Sequence, residues 1–174
     1  MTVYDLLKGG DLRSIGKSNE VVKLIGKNRE LFDEIFKGIF HNDPVIRSRC
    51  ADAAEKVAQK NPGLLKPHKR TILKNLLNFK QKEVNWHIAL MLGYLNFTKS
   101  EKEKVVNHLF KWMAEEGSII VKVCSMQSLA KLSANDAKLK RRLVIKIENL
   151  MINGSPAIKA RGRKLLKTML NDKL

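Results

Sequence analysis

Apolar side chains recur at helical spacing along most of the chain. Four segments align when they are anchored at Ile46, Val84, Val121 and Ile158, which lie 38, 37 and 37 residues apart. In every segment the residues four, seven and eight places after the anchor are small or apolar, and these places share one helix face with the anchor. A near-constant interval of this kind indicates an internal repeat.

A second helical pattern precedes each anchored segment, with apolar residues three and four places apart. No alternating strand pattern competes with it. The sequence therefore predicts a helix, a short turn and a second helix, repeated four times. The predicted first helices lie at 31–40, 70–79, 103–114 and 141–152, and the repeats span about 30–60, 67–96, 100–133 and 138–172.

The predicted turns carry residues that begin and end helices. Asp43–Pro44 and Ser155–Pro156 each place an N-cap side chain before a first-turn proline. Ser100–Glu103 is typical of a capping box. Asn61–Gly63 and Asn153–Gly154 are expected to stop helices.

Residues 1–29 fit the repeat poorly. Two short helices are expected there, at 2–8 and at 18–28, with Gly9–Gly10 stopping the first. An atypical terminal segment is common in repeat arrays because it caps the stack. With 174 residues and 44% hydrophobic residues, the chain is expected to form one domain, 1–174, with residues 1–29 as its N-terminal cap.

Charge adds an expectation about partners. The chain has 34 Lys and Arg against 17 Asp and Glu, a net charge of +17. Residues 118–174 hold 13 basic and only 3 acidic side chains, so more than half of the excess lies in the last third. Such a surface attracts polyanions, including DNA and RNA. The alternative is that a lysine-rich surface only keeps the protein in solution.

Other patterns bear on compartment and cofactors. The longest apolar run, at 88–95, is too short for a membrane span, and the first residues do not resemble a signal peptide. We expect a soluble, cytoplasmic protein with no membrane span. Cys50 and Cys124 fall in helical patterns and are expected to be reduced and packed. The four His residues lack metal-site spacing, and no cofactor is expected.

A family resemblance is carried by residues 43–57, which read DPVIRSRCADAAEKV. This segment resembles the second helix of a HEAT repeat, with Asp43 in the turn, then Ile46-Arg47 and small residues at Ala51 and Ala54. The later segments have Asn85, Lys122 and Lys159 where the first has Arg47, and the last two lack the turn Asp.

The resemblance covers about residues 30–171. It implies an all-α, right-handed α–α superhelix of about four HEAT-like helix pairs, an armadillo-type α-solenoid. Such arrays usually serve as curved surfaces that bind proteins or nucleic acids. In them the second helices line the concave face. Residues such as Arg47 often bridge neighbouring repeats there, whereas solvation or ligand contact is expected for Lys122 and Lys159.

Helical geometry then assigns the residues that face away from the core. Places two, three, six and ten after each anchor should point outward. On the second helices these places carry an apolar and aromatic centre, which is a candidate anchor for a partner. We predict a protein- or peptide-binding site there; the alternative is that its tryptophan packs between repeats. The predicted site residues are Trp86, His87, Leu90 and Val123.

A second set of candidates is basic. Some lie on second helices and others in the 138–142 cluster, where cations oppose the helix dipole. An anionic ligand would explain them; a charged cap on the last helix is the alternative. The predicted polyanion-binding residues are Arg49, Lys122, Lys140, Arg141, Arg142, Arg161 and Lys164. Trp112 differs from both sets, since it lies on an apolar stripe and is expected in the core.

Enzyme motifs are missing from the sequence. There is no phosphate-binding glycine loop, no GxSxG and no HExxH. A DNA glycosylase-like activity, known in one HEAT-like group, would need an acidic residue beside Trp86, and none projects from that face. We therefore predict no catalytic residues and a non-catalytic interaction module for a protein or peptide, with nucleic-acid binding as the alternative.

Overall fold

The structure is a computed structural model that describes residues 2–26, 28–115 and 117–171. Throughout these ranges the regular elements are helical. A 3₁₀ helix occupies Pro62–His68, where Pro62 and Pro67 prevent a continuous α-helix. The α-helices are α1 (Val3–Leu7), α2 (Ser18–Ile25), α3 (Glu30–Gly38), α4 (Pro44–Lys60), α5 (Lys69–Asn75), α6 (Lys82–Leu92), α7 (Lys99–Glu115), α8 (Ile119–Leu132), α9 (Ala137–Ile152) and α10 (Pro156–Asn171).

The predicted all-α fold is confirmed, and three of the predicted helix pairs are observed. Helices α3 and α4 pack together, as do α7 and α8, and α9 and α10. The second pair is less regular, because α5 is short and packs on the 3₁₀ helix before it. The predicted end of the last repeat, at 172, lies outside the described residues.

Most of the predicted helix ends are confirmed. Asp43 caps α4, accepting hydrogen bonds from the backbone N–H of Val45 at 2.7 Å. Helix α4 ends at Lys60, directly before Asn61. The capping box was placed wrongly. Glu101 accepts from the Thr98 N–H at 2.9 Å and donates its own N–H to the Thr98 hydroxyl, so the box starts at Thr98 and not at Ser100.

The chain divides between Leu95 and Asn96 into two compact units. Unit 1 contains α1 to α6, and unit 2 contains α7 to α10. In unit 1, α4 lies at the centre and packs against α2, α3 and α6. Helix α2 therefore takes the place beside α4 that a preceding second helix would take, although its sequence matches the repeat poorly.

Each unit buries its own apolar core. In unit 1, Phe32, Phe36 and Ile88 are almost fully buried. Gly38 lets α1 approach, since a Cβ there would lie 2.7 Å from the Tyr4 ring. The Tyr4 hydroxyl donates to the Glu34 carbonyl at 2.8 Å, which fixes α1 on α3.

In unit 2, α8 packs on α7 and on α10, and its buried side chains fill the space between them. Leu109, Leu129 and Ile147 are fully buried. Trp112 is buried as well, which confirms its predicted place in the core. Cys124 here and Cys50 in unit 1 are both buried, which confirms that they are packed as predicted.

Candidate interaction surfaces

Fewer places on the second helices face solvent than the sequence predicts. The place three residues after the anchor was expected to face solvent, but Arg49, His87 and Cys124 are all buried there. A second helix in unit 1 packs on its own first helix and also on a neighbouring second helix. Helix α4 is covered on both of these sides, and α6 is covered by α4, so of its predicted outward places α6 keeps only the second and the sixth half-exposed.

Arg49 is the clearest correction. Only 4% of its surface is exposed, and its guanidinium binds the backbone of the N-terminal segment. Nη1 donates to the carbonyl oxygens of Leu7 and Gly9, both at 2.7 Å, and Nε donates to that of Ser14 at 3.1 Å. Arg49 therefore holds the end of α1 and the following loop onto α4, and it presents no charge to a polyanion.

The loop between α1 and α2 is shaped for this contact. Gly9, Gly10 and Gly16 all have positive φ, a conformation that glycine adopts without steric cost. A Cβ on Gly16 would also lie 2.7 Å from Cζ of Arg49. The glycines thus allow several carbonyl groups to converge on one guanidinium.

Asp52 organises a second buried group in unit 1. It stands six residues after the anchor and was expected to face outward, but it is buried. Its carboxylate accepts from the Ser18 hydroxyl, and Lys56 Nζ lies 2.6 Å from the same oxygen. Lys56 also donates to the side chain of Asn19 at 2.9 Å. These polar contacts join α2 to α4, so they contribute to folding rather than to a binding surface.

His87 completes this group from α6 and is not a surface residue. Only 1% of it is exposed, and Nε2 lies 3.9 Å from a carboxylate oxygen of Asp52. Burial, together with the positive charge of Lys56, lowers the pKa of His87 from 6.5 to about 3. Burial is the larger cause, because Nδ1 has no hydrogen-bond partner among the described residues that would stabilise the charged ring. His87 is therefore a neutral packing residue, and its predicted contact with a partner is wrong.

Trp86 and Leu90 are the two predicted partner-binding residues of unit 1 that keep exposed surface. They lie four residues apart on α6, and both are half-buried. The Trp86 ring centroid lies 3.3 Å from that of His87, so the indole is held against a buried neighbour. Tyr94, farther along, donates its hydroxyl to Glu55 at 2.5 Å. What these residues leave exposed on α6 is a small apolar ridge.

The bridging role expected for Arg47 is confirmed. Its Nε donates to the Gln81 side chain at 2.8 Å, which ties α4 to the start of α6. Nη1 donates to the carbonyl of His41, also at 2.8 Å. The acceptor in the next repeat is an amide where a carboxylate is usual. Lys122 in unit 2 instead donates to the Ala114 carbonyl at 3.1 Å, within its own helix pair.

In unit 2, Val123 is half-buried on α8. It occupies the register place that Trp86 occupies on α6.

The second helix of the last repeat, α10, is strongly basic, and it contains no acidic residue. Lys159 and Arg161 are half-exposed there, and none of the five α10 cations forms an ion pair with a described residue. The exposed members of this basic row are Arg163, Lys164 and Lys167.

The 138–142 cluster lies at the start of α9. Arg141 and Arg142 are exposed, whereas Lys140 is half-buried. The guanidinium carbon of Arg142 lies 4.1 Å from the centre of the Phe110 ring on α7, which is a cation–π contact. Asp136 caps α9 by accepting from the Leu139 N–H at 3.0 Å.

Within the described ranges, no group of three His, Cys, Asp or Glu side chains is placed to hold a metal ion. No helix in the same ranges has the length and apolar character needed to cross a bilayer.

Comparison with known proteins agrees with the geometry. The HEAT repeat domain matches residues 12–169, a range that includes α2 and all of the predicted repeats except the last three residues of the fourth. A search of curated proteins and a search of solved structures each found no match. Since the domain covers well over half of the chain, and since its helices pair as such repeats require, this protein belongs to the HEAT repeat family.

Proposed function

We propose that this protein is a non-catalytic interaction module that binds a protein or peptide through its second helices, with Trp86 and Leu90 as the anchor. The observation that carries the proposal is the half-exposed apolar ridge on α6. On α4, Asp52, Glu55 and Lys56 are engaged in contacts within unit 1. A tryptophan with an adjacent leucine on a rigid helix is the kind of pair that dominates binding energy at interfaces.

The ridge suits an amphipathic partner helix. Apolar side chains four residues apart on α6 match the spacing with which such a helix presents its own apolar face. His87 behind the indole is buried, so the Trp86 ring has little freedom to lose on binding. Val123 stands at the equivalent place of α8 in unit 2, and its contact with a partner stays a prediction.

The test selects amphipathic peptides from a display library against the whole protein and measures their affinities by fluorescence anisotropy. Trp86→Ala should weaken the selected peptides by about 2 kcal/mol, or about thirtyfold. Leu77→Ala is the matched control, because Leu77 is a 70% exposed apolar residue of the same unit outside the ridge. Equal losses in the two variants would contradict the proposal, and so would failure to select any peptide that depends on Trp86.

A second candidate function, nucleic-acid binding, is favoured by the basic row on α10. Five cations without an acidic neighbour on their helix give a surface whose charge is not used for folding. Arg49 is among the polyanion-binding residues predicted from the sequence, but it is buried and is therefore excluded from this nucleic-acid surface.

Fluorescence polarisation with labelled single-stranded and duplex oligonucleotides separates the candidates. Binding through α10 should fall steeply between about 50 and about 300 mM salt because counterions are released, whereas binding to the α6 ridge should change little. Lys164→Glu should weaken the oligonucleotide far more than Lys66→Glu, which makes the same charge change at an exposed site in unit 1. Equal weakening by the two variants would show that only the net charge of the protein matters, which would contradict a binding surface on α10.

A further inference from the structure

A cavity of about 360 Å³ opens in unit 2 beside the starts of α7 and α9. Four cations line it: Lys99 and Lys102 from α7, and Lys138 and Arg142 from α9. Its volume is in the range of small-molecule sites. It lies on the first helices of the third and fourth repeats, so it does not depend on the function proposed for α6.

The two carboxylates at this cavity leave a positive excess. Asp136 accepts from the Leu139 N–H at 3.0 Å and from Lys102 Nζ at 2.8 Å. The Lys102 ammonium holds the pKa of Asp136 below its usual range, so this carboxylate is ionised and already engaged. Glu103 is the other carboxylate. Against these two stand four cations, which leaves a formal charge of +2.

Arg142 is prearranged for an anion. Its guanidinium carbon lies 4.1 Å from the centre of the Phe110 ring, and this cation–π contact restrains the group at the cavity. No described residue pairs with its N–H groups, so the edge of the fork is available to ligand oxygens. A planar guanidinium held in this way binds carboxylate or phosphate oxygens in pairs.

Folding alone does not favour these cations. Lys99 is the first residue of α7, and Lys138 is the second residue of α9. Positive side chains in the first turn of a helix are unfavourable because they oppose the helix dipole. Neither lysine forms an ion pair with a described residue, so no such contact offsets this cost.

The floor of the cavity limits the ligand further. Val106 and Leu139 are buried apolar residues that line it beside the cations. A ligand that fits must therefore carry an anionic group next to an apolar body. A phosphate monoester is largely a dianion above pH 7 and matches the +2 excess, whereas a carboxylate or a phosphodiester carries a single negative charge.

We propose that this cavity binds a phosphate monoester of a small molecule with an apolar or aromatic body. Arg142 binds two phosphoryl oxygens, Lys99 and Lys138 neutralise the remaining charge, and Val106 and Leu139 contact the apolar body.

The test is isothermal titration calorimetry of the whole protein with phenyl phosphate as the probe. Benzoate keeps the ring with a single charge, inorganic phosphate removes the ring, and dimethyl phosphate represents a nucleic-acid backbone diester. We expect saturable one-to-one binding of phenyl phosphate, with each of the other three weaker by about tenfold. Arg142→Gln and Lys138→Gln should each weaken phenyl phosphate by about fivefold or more.

Arg141→Gln is the matched control, since Arg141 is the exposed neighbour of Arg142 and does not line the cavity. Equal weakening by Arg141→Gln would reduce the effect to diffuse charge and overturn the proposal. Benzoate or dimethyl phosphate binding as tightly as phenyl phosphate would overturn the assignment of a monoester, and absence of saturable binding would overturn the site. Trp86→Ala should leave phenyl phosphate binding unchanged, so this proposal and the one for α6 fail separately.

Discussion

The two units use the same register place on their second helices in opposite ways. Arg49 on α4 and Arg161 on α10 both stand three residues after a repeat anchor. Arg49 is buried and bound to carbonyl groups of the N-terminal segment, whereas Arg161 is half-exposed with no ion-pair partner among the described residues. The residue type and its place in the repeat are identical, so the difference comes from the segment that covers α4.

The place six residues after the anchor repeats this contrast. Asp52 in unit 1 is buried among Ser18, Lys56 and His87. Lys164 in unit 2 is exposed on a helix without acidic residues. Helix α4 of unit 1 therefore uses its polar groups to hold helices together, while α10 of unit 2 leaves its cations accessible to a ligand. Trp86 and Trp112 report on the separate units, so the contrast between them can be measured by fluorescence.

The largest effect is expected from the two arginines. Arg49→Ala should lower the free energy of unfolding of unit 1 by about 3 kcal/mol, because the buried Leu7 carbonyl and the part-buried carbonyl groups of the following loop lose their donor. Arg161→Ala should change unit 2 by about 0.5 kcal/mol or less. Urea unfolding measures both, with Trp86 fluorescence reporting unit 1 in a Trp112→Phe background and Trp112 reporting unit 2 in a Trp86→Phe background. Similar losses in the two units would show that the contrast is wrong.

A smaller effect is expected from acid. The pKa of His87 is about 3 in the folded protein and about 6.5 when unfolded, so between these values the unfolded chain binds the extra proton. Stability of unit 1 should therefore fall as the pH falls, by up to about 2 kcal/mol between pH 6.5 and pH 5. Urea unfolding at several pH values, followed by Trp86, measures this slope.

The control for the acid experiment is His87→Leu, which replaces the imidazole with an apolar side chain of similar size that does not titrate. This variant should lose most of the slope in unit 1. A slope that persists would place the acid sensitivity elsewhere. If unit 1 of the wild-type protein became more stable on acidification, the attraction of the Asp52 carboxylate for a protonated His87 would outweigh the effects of burial and of the Lys56 charge on the His87 pKa.

The smallest effect is expected on α10. Lys164 and Lys167 lie three residues apart, and like charges at this spacing repel. Lys164→Glu converts the repulsion into an attraction and should stabilise unit 2 by about 0.5 kcal/mol at low salt, with a smaller gain at high salt. Thermal unfolding followed by Trp112 measures it. A loss of stability would indicate that Lys164 already has a structural role, contrary to its exposure.

The repeat pattern predicted most of the helices because it depends on local chemistry. The apolar anchors, Asp43 before Pro44 and the Asn153–Gly154 stop are read from neighbouring residues, and α4 and α9 begin or end there. The capping box was misplaced because Thr98 and Ser100 are both able to cap, and the sequence does not show which residue leaves the helix first. Core burial of Trp112 followed from its apolar stripe.

The candidate site was harder to predict because exposure depends on elements distant in sequence. A single apolar face was assumed for each second helix, yet α4 and α6 are each covered on a second side by a neighbouring second helix. That assumption placed Arg49 and His87 on the surface. The cavity of Lys99, Lys102, Lys138 and Arg142 was missed for the same reason, since its α7 and α9 residues lie more than thirty positions apart and only packing joins them. The only signal was the unfavourable cluster of cations at 138–142.

By itself the sequence determined the helices, their pairing into repeats, the family and the basic excess of the last third, because helix periodicity, capping and charge are properties of residues close together in the chain. Only the tertiary structure decided which charges are available. Arg49 and Asp52 are buried because the α1–α2 segment folds onto α4, while Arg161 and Lys164 keep contact with solvent. The free energy of a charged side chain depends on its surroundings, and residues tens of positions away in the sequence supply those surroundings.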